Sequence, residues 1–186
     1  MTTMLRAAFL LTCLAWTGPA LAVEIAKVSL PGKAVIGSES RDVALGFDCI
    51  PQSRTHPGLL YVTLSVPNFE ALETRFNFDA FHGPEGTRKP LTEITVAQAE
   101  RMSASGHIGM DSTSFVLGVG ASLRGDARDL AKIRPLLAAA SAGPGALRWR
   151  QESPRKGDSP ILVTVPIAAA DADRLKAVLA PCLKGK

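Results

Sequence analysis

Residues 101–123 read "RMSASGHIGMDSTSFVLGVGASL". Met102, Ala104, Ile108 and Met110 fall on one face of an extended chain. After Asp111-Ser112-Thr113, residues Phe115, Leu117, Val119, Ala121 and Leu123 fall on a matching face. Apolar side chains at period 2 mark a strand buried on one side, and two such runs joined by small polar residues mark a hairpin. An antiparallel, β-rich fold follows from this stretch.

The same period recurs on both sides of the hairpin. Upstream it runs through Ala26, Val28 and Leu30, through "RDVALGFDC" (41–49), and through "LLYVTLSV" (59–66), which Pro67 stops. "RFNFDAF" (75–81) puts Phe76, Phe78 and Ala80 together as a further strand, and "LTEITV" (91–96) is a shorter one. Downstream, "ALRWRQ" (146–151) and "PILVTVPI" (160–167) are joined by "ESPRKGDS", with Pro166 marking an edge or a strand end. Helical patterns are fewer. Asn68 is placed to cap a short turn "FEALE". Asp126 is placed to cap "ARDLAKIRPLLAAASAG", which Pro135 is expected to kink or end. A last helix begins near Ala169 to Asp171, with Cys182 just past its end. About eight short strands with turn signals between them predict a mainly β domain. The expected form is an antiparallel β-sandwich or partly open barrel with two or three short helices packed on it.

The N-terminus reads as an export signal. Arg6 precedes Ala7–Trp16, a ten-residue run without charge, and Gly18-Pro19 leads to Ala20-Leu21-Ala22, the small-residue pattern of a cleavage site. The run is half of the ~20 residues a membrane helix needs. Thr12 before Cys13 suits lipidation poorly. Residues 1–22 are therefore expected to be a secretory signal and 23–186 one β-rich domain without a membrane span. Without the signal the chain keeps 20 basic and 17 acidic residues, a net charge of +3. An excess of arginine over lysine and abundant alanine suggest a bacterial chain, periplasmic or secreted.

Two cysteines remain, and in an oxidising compartment they should pair. Cys49 shares the apolar face of Val43, Leu45 and Phe47. Cys182 follows "ADRLKAVLAP", where Leu175, Val178 and Leu179 form an apolar stripe. The absence of a C-x-x-C spacing favours a structural bridge over a redox pair.

Candidate chemistry is sparse. His56, His82 and His107 lie far apart without metal-ligand spacing, and no cofactor motif is present. "GVGASLRG" completes neither G-x-S-x-G nor G-x-G-x-x-G; Gly118 and Gly120 on one strand face instead suggest close approach of another layer or a ligand. Asp79 and Glu85 flank a Gly-Pro turn, and paired carboxylates serve glycoside hydrolysis, yet Asp79 has the companions of a solvated strand face. The densest feature is basic. Arg148 and Arg150 share a strand face, Arg155 and Lys156 occupy the adjoining loop, and Arg124, Arg128, Lys132 and Arg134 lie around the first long helix. Guanidinium forks suit carboxylate and phosphate. Ordinary solvated surface is the competing reading, with Glu152 and Asp158 offsetting much of the charge. The compartment and the low net charge argue against nucleic acid. The expected function is a non-catalytic binding protein that recognises an acidic periplasmic protein or other anionic envelope component through Arg148, Arg150, Arg155 and Lys156. Two alternatives stand beside it. One is a hydrolase whose site is assembled from dispersed Asp, Glu and His residues. The other is a structural accessory of an envelope complex.

Overall fold

Alternation along β1 (Ala26–Ile36) turns Val28, Leu30, Ala34 and Ile36 inward and leaves Lys27, Ser29, Lys33 and Val35 outside. The computed structural model describes residues 26–184. Within them β2 (Glu39–Ile50), β3 (Leu59–Pro67), β4 (Thr92–Thr95), β5 (Ala99–Met102), β6 (Ser105–Ile108), β7 (Ser114–Ser122), β8 (Gly145–Gln151) and β9 (Ile161–Ile167) complete the strands. The helices are α1 (Pro84–Thr87), α2 (Ala127–Ala140) and α3 (Ala169–Leu183). The export signal read over residues 1–22 lies outside the described residues.

All nine strands join one antiparallel sheet in the order β5-β4-β8-β9-β1-β2-β3-β7-β6. β5 and β6 stand at its opposite ends, yet only Ser103 and Ala104 separate them in the chain. Three Cα steps reach no more than about 11 Å, so the sheet curls into a half-barrel that brings its two edges together. Of the two expected architectures, the partly open barrel is the one formed.

Helices line the inner face. Leu130, Ile133, Leu137 and Ala140 form the buried stripe of α2, and Ala172, Leu175, Leu179 and Cys182 that of α3, both at helical spacing. α3 packs on β1 and β2, while α2 reaches β5, β7 and β8, near both ends of the sheet. Cys49 and Cys182 are bonded, with Cα atoms 5.9 Å apart, and tie α3 to β2. Among the described residues no helix is long and apolar enough to cross a membrane.

Several local expectations change. The single strand read through Met102–Met110 is two strands, because Ser103-Ala104 is where the chain leaves one sheet edge for the other. Met102 and Ala104 are buried, while Ile108 and Met110 are exposed. "RFNFDAF" is not a strand. Phe76, Phe78 and Phe81 are buried in an irregular segment with a 3-10 turn at Asp79–Phe81, because the Asn77 N–H donates to Asp158 at 2.8 Å instead of to a neighbouring strand. Their rings, with Phe69 and Phe115, form an aromatic cluster with centroids 4.8–5.7 Å apart. Pro135 does not end α2: it sits on the exposed side, where water can serve the carbonyl that its missing N–H leaves unpaired. Cys182 lies inside α3, in its last turn. Asp126 stands at the α2 N-cap position, and Asn68, at φ 50°, at that of a 3-10 turn Phe69–Leu72; neither side chain makes a capping bond. Pro166 is the penultimate residue of β9, an interior strand rather than an edge; it lies opposite Ala146 of β8, in the stretch beyond Thr164 that β1 does not pair.

Candidate functional site

Strict alternation in β8 buries Leu147, Trp149 and Gln151 and sends Arg148 and Arg150 outward, onto the sheet face that turns away from the helices. Trp149 is 1% exposed and anchors the strand from below. Register sets the neighbours of the two arginines. Arg148 lies between Thr95 on β4 and Thr164 on β9, and Arg150 between Glu93 and Leu162. These side chains line a shallow depression of about 320 Å³. Glu93 is held from the other side by Arg101, Nε to Oε2 at 3.0 Å. Arg150 donates from Nε to Glu152 Oε1 at 2.6 Å. Arg148 is exposed and carries no ion pair among the described residues, so its five N–H donors face solvent.

The adjoining loop is built differently. Arg155 Nε donates to Asp158 Oδ1 at 2.5 Å, and its Nη2 donates to the Glu73 carbonyl at 2.9 Å. Asp158 also accepts from Ser153 Oγ at 2.5 Å and from the Asn77 N–H. Burial pushes this carboxyl up, but the bonds from Ser153, Arg155 and Asn77, with the Arg155 charge, outweigh it and hold the group below the usual carboxylate range. Arg155 is therefore a strut between the β8–β9 loop and the segment before β4. Lys156 is exposed beside Gly157, whose φ of 94° makes the turn.

The remaining candidates disperse. Asp79 is exposed on a 3-10 turn and Glu85 on α1. His56 Nδ1 accepts from the Gly58 N–H at 2.9 Å, His82 packs against Phe115 at 5.1 Å, and His107 is exposed on β6. Among the described residues no three side chains are grouped to hold a metal. Lys132 Nζ donates to the Arg101 carbonyl and Arg124 Nη2 to the Ser53 carbonyl.

A second concavity lies on the same outer face, over β1, β2 and β3. Register puts Lys27, Asp48, Tyr61 and Gly120 side by side, and Ile50 beside Leu59 in the next row. Tyr61 covers both Gly118 and Gly120. A Cβ on Gly118 would meet one edge of the ring, and a Cβ on Gly120 would meet the other, each inside van der Waals distance. The ring thus lies across the β7 backbone, and its hydroxyl is 3.1 Å from Ser105 Oγ. The paired glycines admit the ring of the neighbouring strand. Lys27, Asp48, Ile50, Leu59 and Tyr61 line a largely apolar depression of about 440 Å³. Lys27 Nζ stands 3.8 Å from Asp48 Oδ1. Burial raises the Asp48 carboxyl above its usual range, against the lowering effect of Lys27. Only two signals in the sequence point here: a lone tyrosine on the solvent side of a strand, and the two-residue spacing of Gly118 and Gly120. Their meeting depends on the β3–β7 register. No family model, curated protein or solved structure matches the chain.

Proposed function

We propose that this chain is a non-catalytic binding protein of the bacterial periplasm that recognises an anionic envelope partner through the outer face of β8. One observation carries the reading: Arg148 and Arg150 project side by side from a strand locked by Trp149, between Thr95 and Thr164, at a depression open to solvent. Two guanidinium groups flanked by two hydroxyls form a donor-rich surface that matches carboxylate or phosphate oxygens. Glu152 orients Arg150, and Glu93 and Glu152 together set a limit on how acidic a partner the surface attracts. The Cys49–Cys182 bond agrees with an oxidising compartment. Of the four residues of the basic hairpin, Arg148 and Arg150 carry recognition, Lys156 adds long-range attraction and Arg155 supports the loop.

The test is titration of a fluorescent oligoglutamate peptide and of phosphatidylglycerol vesicles at two salt concentrations. Binding to at least one probe should weaken as the screening length falls below ~10 Å. It should weaken about tenfold in Arg148→Gln/Arg150→Gln, the sum of two exposed charge contacts. Equal binding by the double variant and the parent would overturn the reading.

A further inference from the structure

We propose that the depression floored by Tyr61, Leu59 and Ile50 is a saccharide subsite, taking one or two pyranose rings on the outer face of β1–β3. Nothing in this assignment depends on the arginine face, which lies across β4, β8 and β9.

Three features converge. The first is a flat aromatic surface held in place. Gly118 and Gly120 seat the Tyr61 ring against the β7 backbone, and Ser105 fixes its hydroxyl, so the half-exposed ring is held in place where it lines the depression. A pyranose has one face of C–H groups and a rim of hydroxyls, and the C–H face packs on an aromatic plane. The second is polar capacity on the strand beside Tyr61. Asp48 is directly across from Tyr61 in register, and its side chain is 20% exposed. Its Lys27 neighbour, at 3.8 Å, is beyond hydrogen-bond length, so the carboxylate keeps acceptor capacity for ligand hydroxyls while Lys27 supplies donors beside it. The third is apolar floor. Ile50 and Leu59 extend the platform by a row, where a second ring or an acetamido methyl would sit. A mostly apolar concavity with a few convergent polar groups, one of them a carboxyl shifted by burial, has the character of a binding site.

The shape also separates this ligand class from an acyl chain. An alkyl chain gains in proportion to the apolar area it removes from water. In an open trough it would leave one side wet. A sugar ring buries its C–H face and leaves its hydroxyl rim in solvent, so one-sided contact suits it.

Tyr61 is the one tyrosine of the chain, which makes the test direct. Incorporating 3-fluorotyrosine into the full, oxidised protein gives a single ¹⁹F resonance at the site. Chitotriose, maltotriose and decanoate are then titrated separately. A saturable shift with either saccharide, and none with decanoate, is expected. Asp48→Asn keeps the reporter and should weaken that saccharide roughly fivefold, as a charged acceptor becomes a neutral one. Tyr61→Ala, followed by calorimetry, should abolish it while the Cys49–Cys182 bond and the melting transition persist. If that variant fails to fold, the ¹⁹F titrations of the parent and Asp48→Asn decide. A shift with decanoate, no shift with either saccharide, or equal affinity in Asp48→Asn would each overturn the assignment.

Discussion

Asp158 reaches Asn77 across 81 positions of sequence, accepting its backbone N–H at 2.8 Å. That bond docks the β8–β9 loop onto the aromatic segment before β4, and Arg155 braces it from the solvent side. Removing the carboxylate would leave the half-buried Asn77 N–H and the Ser153 O–H without an acceptor. Asp158→Ala is expected to cost about 2 kcal/mol, read as a lower urea midpoint with an unchanged slope. An unchanged midpoint would show the loop docked by other means.

The same carboxyl sets an acid dependence. Its folded pKa lies below the unfolded value of 3.8. Its contribution is therefore fully present above that value and is lost as pH falls through the lower, folded one. Asp48 has the opposite sign. Its folded pKa is raised from 3.8 by burial, so the protonated form is favoured in the fold and stability declines as pH rises through this window. Relative to parent, Asp158→Asn should lose its deficit as the solution is acidified below 3.8, whereas Asp48→Asn should gain as pH rises past it. Melting curves from acid to neutral pH distinguish the two.

Tyr61 and Gly120 compete for one volume. Gly120→Ala places a methyl inside the ring and is expected to destabilise by about 1–3 kcal/mol, as overpacking does. In a Tyr61→Ala background the same change should be neutral or stabilising by about 0.5 kcal/mol, since alanine orders in a strand at less entropic cost than glycine. The coupling in this double-mutant cycle measures the seat. Additive effects would mean that the ring does not rest on the strand.

Arginines that look alike in sequence should behave differently. Arg155→Gln removes the ion pair to Asp158 within the loop and the bond to the Glu73 carbonyl that bridges distant segments, and should lower stability by about 1 kcal/mol. Arg148→Gln should leave the melt unchanged and act on oligoglutamate or vesicle binding. Replacing Arg148, Arg150, Arg155 and Lys156 together therefore mixes a structural loss with a binding loss, and single variants are needed to separate them.

Reduction should be costly. The Cys49–Cys182 bond closes a loop over a sequence separation of 133. In the chain-entropy account a loop of this size contributes up to about 5 kcal/mol. Cys49→Ala/Cys182→Ala should melt well below the oxidised parent, and dithiothreitol should bring the parent down to match. A parent insensitive to reductant would show that the core suffices without the bond.

Some of this architecture follows from sequence directly. Period-2 alternation reports that one face of a strand is buried, and that is local information; β1, β2, β3, β7, β8 and β9 were all legible from it, as were the paired cysteines and the outward course of Arg148 and Arg150. Alternation does not say which strand lies alongside. The run from Met102 to Met110 carries the pattern of one strand, yet it is shared between opposite edges, because curling the sheet brings those edges within reach of a two-residue link. Phe76 and Phe78 carry the pattern of a strand and are buried without one, because a carboxylate 81 positions away takes the N–H that a neighbouring strand would have taken. Arg155 and Arg148 are equally basic on paper, and only the packing of the 73–77 segment turns one into a strut. The Tyr61 platform exists only because the β3–β7 register sets a ring opposite two glycines. Burial periodicity is encoded residue by residue, whereas register, edge closure and the identity of each polar partner are settled when distant segments compete for the same surface and the same hydrogen bonds.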